Sequence, residues 1–251
     1  MNDSRVLIGP KNTRFNEIIL LKDTGSTNKD VLQAAKDGAK EGLVIAAEHQ
    51  NAGRGRQERT WVDEPGKSLL ISVLFQQSIY KAQFMPFVAG LAILDFLYEN
   101  TGFEVSLKWP NDVLYNNSKL AGILVESYNK GSTCNLAVGM GINLLEVNDL
   151  GSTSDRAISV EALTSKVFSI TQAANMLLVS LEKYTQILEQ DTQLIIEKYR
   201  QKCLTLNTNV RVQVLDQIIE GKAIDVADSG ALLVESSGKV HTVLSGDAHF
   251  I

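Results

Sequence analysis

Three arginines and two glycines crowd one short stretch, Gly53-Arg54-Gly55-Arg56 followed by Arg59, between Gln50 and Trp61. Glycines let backbone N–H groups come close to an anion, and guanidinium groups offer planar, permanently charged forks that match carboxylate or phosphate oxygens. The chain as a whole carries a formal net charge of −5. No overall field therefore draws it to nucleic acid or anionic membranes, and cations gathered in one loop make a local anion site. The stretch lacks the Gly-Lys-Ser/Thr ending of a phosphate loop and the Gly-x-Gly-x-x-Gly that opens a dinucleotide-binding helix, so a nucleotide bound here is held in another way.

A second group follows at Lys108-Trp109-Pro110-Asn111-Asp112, with Lys119 shortly after it. Pro110 forbids a helix directly after the preceding strand and fixes a turn, and Asn111 and Asp112 are ordinary turn formers. Lys119 is less ordinary, because it begins an apolar strand instead of sitting on a wet face. A third group, Val138-Gly139-Met140-Gly141-Ile142-Asn143, reads as a strand with two glycines, which suits either close approach of backbone to a ligand or a bulge.

Other chemistries are poorly served. Cys134 and Cys203 are far apart and have no neighbour at metal-ligand spacing, and both read as reduced packing residues. His49, His241 and His249 are scattered, with no serine or cysteine motif beside them for nucleophilic catalysis. The first residues lack the basic and apolar regions of a secretory signal, and no apolar run is long enough to span a bilayer, so the expectation is a cytoplasmic protein with no membrane partner. With 251 residues, 44% of them hydrophobic and 21% charged, the chain can bury a sizeable core.

The elements that must hold these groups can be read from periodicity. Strands are expected at residues 18–22, 43–47 and 68–75. A turn at Ser26-Thr27-Asn28 leads into an amphipathic helix ending near Gly38, and the glycine-rich stretch after residue 47 reads as a mobile loop without regular structure. Residues 83–100 have helical spacing, with Pro86 tolerable near the first turn and Gly102 closing the helix. Strands follow at 105–108, 113–115, 120–127 and 135–139, then a helical stretch from 159 to about 201. Short strands at 209–215, 219–227, 231–235 and 240–244 suggest a small barrel. The fold class is α/β (α+β), a mixed sheet flanked by helices. The boundary falls near residues 204–208 and gives a larger domain at 1–204 and a C-terminal domain at 205–251.

In the same order and with similar spacing, Ser26-Thr27-Asn28, the loop at 50–61 and the stretches 108–112, 119–126 and 139–143 resemble the biotin protein ligase family over nearly all of residues 18–145. The C-terminal Gly230-Ala231-Leu232-Leu233-Val234-Glu235 is similar to part of that family's small SH3-like barrel. The resemblance implies a class II synthetase-like catalytic domain, related to lipoate ligases. It also implies ATP, biotin and Mg²⁺ as reactants: biotinyl-5′-AMP is formed, and biotin is then transferred to a lysine of the biotin carboxyl carrier domain of acetyl-CoA carboxylase or a related biotin-dependent carboxylase. By motif position, Ser26, Thr27 and Gln50 meet the ureido group together with the backbone of Gly53 and Arg54, while Gly122, Leu124 and Gly139 line the biotin pocket. Lys119 meets the biotin carboxylate, and Arg54, Arg56 and Arg59 order around the phosphates as the loop closes. Trp61, Asn111, Asp112 and Asn143 fall on the nucleotide side. Trp61 either anchors the loop or packs in the core. Asp112 is the nearest carboxylate able to orient the lysine, and no metal ligand is assigned.

The chain departs from the family pattern at Glu58, where many members have glycine, and at Met140, which stands where a smaller residue is usual. Only about twenty residues precede the first expected strand, too few for the winged helix by which some relatives bind DNA, so no nucleic-acid partner is expected. Two alternatives stay open: a lipoate or octanoate ligase of the same superfamily, and a biotin-binding protein without catalysis. The resemblance allows either a monomer or a homodimer joined through the catalytic sheet.

Overall fold

The computed structural model describes all residues except 1–3, 58, 131–132, 148–156, 165 and 215–216; Glu58 therefore lies outside the described residues. The centre of the fold is β4 (Ser68–Gln77), whose first eight residues are all buried. A strand covered on both faces has no polar face to show, which is why its sequence runs apolar without alternation. Around it is an eight-stranded sheet with β1 (Ser4–Ile8), β2 (Glu17–Thr24), β3 (Val44–Gln50), β5 (Ser106–Lys108), β6 (Asp112–Tyr115), β7 (Ser118–Lys130) and β8 (Thr133–Asn143) in the order β1-β2-β3-β4-β8-β7-β6-β5. Among the described strands of this sheet, β2 and β3 are the pair that runs parallel, and the helix α1 (Thr27–Lys36) makes the crossover that a parallel pair requires.

The two faces of the sheet are covered unequally. On one face Val73 and Phe75 join a large core with α3 (Met85–Thr101) and α5 (Ile170–Gln190), and Phe84, Phe87, Leu177 and Leu181 belong to the same cluster. On the other face Ile45, Leu74 and Ala137 form a smaller cluster with Val31 of α1, and Ile19, Leu21, Leu32 and Leu43 pack against it. Pro86 sits in the first turn of α3, and Gly102 ends that helix in the left-handed region at φ 78°. A short helix, α2 (Ile79–Ala82), precedes α3. The expected helical stretch after residue 159 is three helices: α4 (Val160–Leu163), α5 and α6 (Thr192–Lys202). A Ser169–Gln172 capping box starts α5, and the Asp191 side chain accepts from Leu194 N to restart the chain as α6.

Strands β9 (Asn209–Val214), β10 (Gln217–Val226), β11 (Leu232–Ser236), β12 (Lys239–Val243) and β13 (Asp247–Phe250) form a second, antiparallel sheet in the order β12-β11-β10-β9-β13. The short C-terminal strands expected from the sequence are there, with β13 in addition; the ladders form an open order, with no pairing of β12 to β13 among the described residues. This sheet is tied to the first by buried groups. Trp109 Nε1 donates to the Gly230 carbonyl at 3.1 Å, Trp109 N donates to Thr205 Oγ1 at 2.9 Å, and Phe87 packs against Gly230, where a Cβ would fall 3.2 Å from its ring. Cys134 and Cys203 are both free and buried.

Candidate active site

Helix α1 is ten residues long and cannot cover its whole face of the sheet. The strand register shows what it leaves open. Leu74, Ala137 and Glu126 lie side by side across β4, β8 and β7; the next row on the same face is Ser72, Gly139 and Leu124; the row after that is Leu70, Gly141, Gly122 and Asp112. The first row lies under α1, and the next two floor a cavity of about 560 Å³, a size that suits a small-molecule site. The loop between β3 and β4 walls the other side.

That loop is more ordered than its glycine content predicts. Arg54 and Thr60 form an antiparallel bridge, Gly55 N donates to Arg59 O at 2.7 Å, and Trp61 N donates to Gly53 O at 3.0 Å. Residues 53–56 and 59–61 are thus the two arms of a small hairpin, which satisfy each other's backbone groups. At its base the buried Asp63 carboxylate meets His49 Nδ1 at 2.8 Å. The hairpin lays the Trp61 indole over the two glycines of the third row: a Cβ on Gly141 would fall 2.7 Å from the ring, and one on Gly122 3.0 Å from it. Trp61 therefore lies in the cavity wall and not in the core, and its Nε1 is buried without a hydrogen-bond partner.

At the inner end a polar cluster converges. Thr27 N and Oγ1 both donate to Gln50 Oε1, at 2.8 and 3.0 Å, and Thr27 Oγ1 lies 2.7 Å from Ser72 Oγ. Ser72 Oγ donates to Asn28 Oδ1 at 2.7 Å, while Asn28 Nδ2 donates to the Leu124 carbonyl and to Glu126 Oε2. Ser26 is the N-cap residue of α1, yet its hydroxyl makes no capping bond and instead lines the cavity. Gly139 is needed for this packing, since a Cβ there would lie 2.3 Å from Asn28 Oδ1.

The charged end is opposite. Lys119 Nζ lies 2.8 Å from Asp112 Oδ1 and 5.9 Å from the centre of the Trp61 ring. Arg54 stays nearer the polar cluster, held at 2.9 Å by the same Glu126 Oε2 that accepts from Asn28. Arg56 donates to Asn111 Oδ1 at 3.3 Å and pairs with Asp247 at 3.5 Å, and Arg59 also pairs with Asp247. Asn111 Nδ2 in turn donates to the Ile123 carbonyl at 2.7 Å. The Asn143 amide is spent on the carbonyls of Lys119 and Ile158, at 3.3 and 3.2 Å.

Ser26, Thr27, Gln50, Arg54, Arg56, Arg59, Trp61, Asn111, Asp112, Lys119, Gly122, Leu124, Gly139 and Asn143 all line this one cavity. Gly53 is buried just behind it, where a Cβ would meet Trp61 O at 2.7 Å. Met140 points mainly into the core beneath, at 2% exposure. Several lining residues had not been expected. Asn28 and Ser72 are among them, although a lone serine inside the apolar run of β4 was a legible sign of a polar floor. Asp247 and His249 enter from β13, for which the sequence offers only a Ser-Gly-Asp turn and four short residues.

Three comparisons fit this geometry. Residues 20–143 match the model of the biotin/lipoate A/B protein ligase family, and residues 205–250 match that of the biotin protein ligase C-terminal domain. The fold is thus that of the biotin/lipoate A/B protein ligase family. A biotin–[acetyl-CoA-carboxylase] ligase of Mycobacterium tuberculosis is 33% identical over 93% of this chain and 88% of its own length. A bifunctional ligase/repressor BirA of Bacillus subtilis is 28% identical over 98% of this chain and 78% of its own length. The structure of biotin protein ligase from Aquifex aeolicus in complex with biotin and ATP superposes with a TM-score of 0.78 at 26% identity, covering 92% of this chain and 97% of that one. The chain belongs to the biotin protein ligase family.

Proposed function

We propose that this protein forms biotinyl-5′-AMP from biotin and MgATP and then transfers biotin to a lysine of a biotin carboxyl carrier domain, as in acetyl-CoA carboxylase. The observation that carries the reading is a single cavity with a polar cluster, backed by the Arg54–Glu126 pair, at one end and Lys119, Arg56 and Arg59 at the other. Biotin has the same division. A urea offers one acceptor and two donors, which Ser26, Thr27 and Gln50 suit, and the apolar ring lies along Leu124, Gly122 and Gly139. The carboxylate then reaches Lys119.

The chemistry must bring a carboxylate to the α-phosphorus of ATP although both are anionic. A carboxylate oxygen bonds to phosphorus, the bond to the pyrophosphate oxygen breaks, and pyrophosphate leaves with that electron pair. Lys119 holds the carboxylate in line, with Asp112 fixing its ammonium, while Arg54, Arg56 and Arg59 offset phosphate charge. Asn111 steadies Arg56; Asn143 acts on the nucleotide side by fixing the backbone of Lys119. Mg²⁺ offsets further charge on the phosphates. Bound with ATP it would supply that charge from the nucleotide's side, with Asp112 the nearest carboxylate of this cavity's charged end. Trp61 and the hairpin shield the adenylate, a mixed anhydride, from water.

Residues 1–204 are proposed to act as the catalytic part and 205–251 as a C-terminal part that reaches the site through β13. Among the described residues no helix is long and apolar enough to cross a membrane. Use of ATP and two free thiols suits a cytoplasmic enzyme, and the reading needs no nucleic-acid partner. The deciding experiment is mass spectrometry of a carrier domain incubated with the protein, MgATP and biotin, with lipoate in a parallel tube. A biotinyl increment on one lysine is expected. A lipoyl increment instead would favour the lipoate reading, and no increment together with no pyrophosphate exchange would leave only a binder.

A further inference from the structure

The Lys119–Asp112 pair has a second side. A smaller cavity of about 190 Å³ lies beyond it, bounded by Lys108, Leu114, Asn117 and Phe250, and shares Asp112, Lys119 and His249 with the large one. The register accounts for this grouping. Lys108 stands opposite Asp112 across β5 and β6, and Lys119 stands opposite Leu114 across β6 and β7, so residues two apart on β6 turn all four side chains to one face. Strand β13 then brings Phe250 alongside, with Lys108 Nζ 5.5 Å from its ring centre.

We propose that this second cavity is the entrance by which the acceptor lysine of the carrier domain reaches the acyl adenylate, and that Lys108 is a positioning residue for that step. The inference rests on the reading of the large cavity given above. If Lys119 holds the biotin carboxylate, the acyl carbon lies where the two cavities meet. The hairpin at 53–61 walls the large cavity, so an adenylate under it is open to a macromolecular nucleophile from the other side. A cavity of this size takes one side chain and not a nucleotide. Its lining suits a lysine: Leu114 and Phe250 flank an apolar stem, the Phe250 ring face attracts a cationic head, and Asp112 draws that head inward.

The acceptor arrives as an ammonium, with an ordinary pKa of about 10.4, and must lose a proton before it can attack. The charged and titratable groups facing it are Lys108 from β5, Asp112 from β6, Lys119 from β7 and His249 from β13. Two lysine cations favour the neutral amine, because like charge disfavours the charged form. In the transfer the amine lone pair forms the C–N bond, the bond from acyl carbon to phosphate oxygen breaks, AMP leaves with that electron pair, and the nitrogen's surplus proton goes to water.

The test uses the full chain, a purified carrier domain and preformed biotinyl-5′-AMP. Lys108→Trp plugs the entrance. Biotin-dependent pyrophosphate exchange should stay within about twofold of wild type, while single-turnover transfer to the carrier and to hydroxylamine should both fall about tenfold or more. Lys108→Glu replaces a cation by an anion, which stabilises the ammonium, so the rise of carrier transfer with pH should move to higher pH. Wild-type transfer in Lys108→Trp, hydroxylamine transfer that persists while carrier transfer falls, or an unmoved pH profile in Lys108→Glu would each overturn the proposal. Should the tryptophan variant fail to fold, the glutamate profile decides alone. Absent exchange in the wild-type protein would instead defeat the reading of the large cavity.

Discussion

Lys119 and Gly139 illustrate two ways in which a single residue serves this site. Lys119 supplies a charge: paired with Asp112 and facing the cavity, it is the cation placed to meet a carboxylate. Lys119→Ala should lower pyrophosphate exchange by about 10²- to 10³-fold, the usual loss when one preorganised charge partner is removed, while biotin binding measured by calorimetry is weakened far less. Unchanged exchange kinetics would refute the assignment. Gly139 supplies only space. A methyl group there would push Asn28 off Ser72, Leu124 and Glu126, and breaking a buried polar network of this kind costs about 1–3 kcal/mol. Gly139→Ala should therefore raise KM for biotin and lower Tm together, whereas a change in kcat alone would show that the network does not shape the biotin end.

The hairpin at 53–61 is the element on which retention of the adenylate depends. Its arms are joined by backbone bonds, its root is held by His49 and Asp63, and its arginines reach across to Asp247 of β13. Arg56→Ala should leave the fold intact and increase release of biotinyl-5′-AMP into solution, read by trapping labelled adenylate; unchanged retention counts against a covering role. Asp247→Ala removes the far anchor of the hairpin. Tryptic cleavage after Arg54, Arg56 and Arg59 should then quicken about three- to tenfold as local opening becomes easier. Equal cleavage rates would mean that the backbone bonds alone hold the hairpin.

At the scale of the whole molecule, the N-terminal segment is tied to α5 by a cluster of charges. Arg14 pairs with Glu182 at 3.0 Å, with Glu41 at 3.1 Å and with Glu189 at 3.0 Å. Burial pushes the Glu182 carboxyl up, but the hydrogen bonds and charge of Arg14 outweigh it and hold the group below its ordinary value. A depressed carboxylate contributes stability above its unfolded pKa of about 4.3, and that contribution is lost as pH falls through the lower folded value. Glu182→Gln should accordingly lower Tm at neutral pH by about 4–8 °C, the equivalent of about 2 kcal/mol, with the difference from wild type shrinking below about pH 4. A Tm gap independent of pH would mean that Glu182 acts through shape and not charge.

Much of this was written locally in the chain. The apolar run of β4, the Pro86 and Gly102 limits of α3, and the turns between β6 and β7 and within the C-terminal sheet follow from short-range sterics and from burial with period 2 or 3.6, and so can be read from neighbours in sequence. The residue types of the site were legible for the same reason: arginines among glycines and a lysine at the head of an apolar strand are local anomalies. Other features depend on residues far apart. The exposed edge strand β1 and the four-residue β13 bury too little to leave a pattern, and β13 earns its place only through pairing with β9. That α1 is too short to cover its face, so that Ser72, Gly139 and Gly122 floor a cavity, depends on strand register across β4, β8 and β7. That Asp247 of the second sheet closes on Arg56 and Arg59 depends on how the two sheets dock through Trp109 and Phe87. Sequence by itself determined which chemistry was available. Tertiary structure decided which groups meet, because register and docking are set by long-range burial that no short stretch of chain contains.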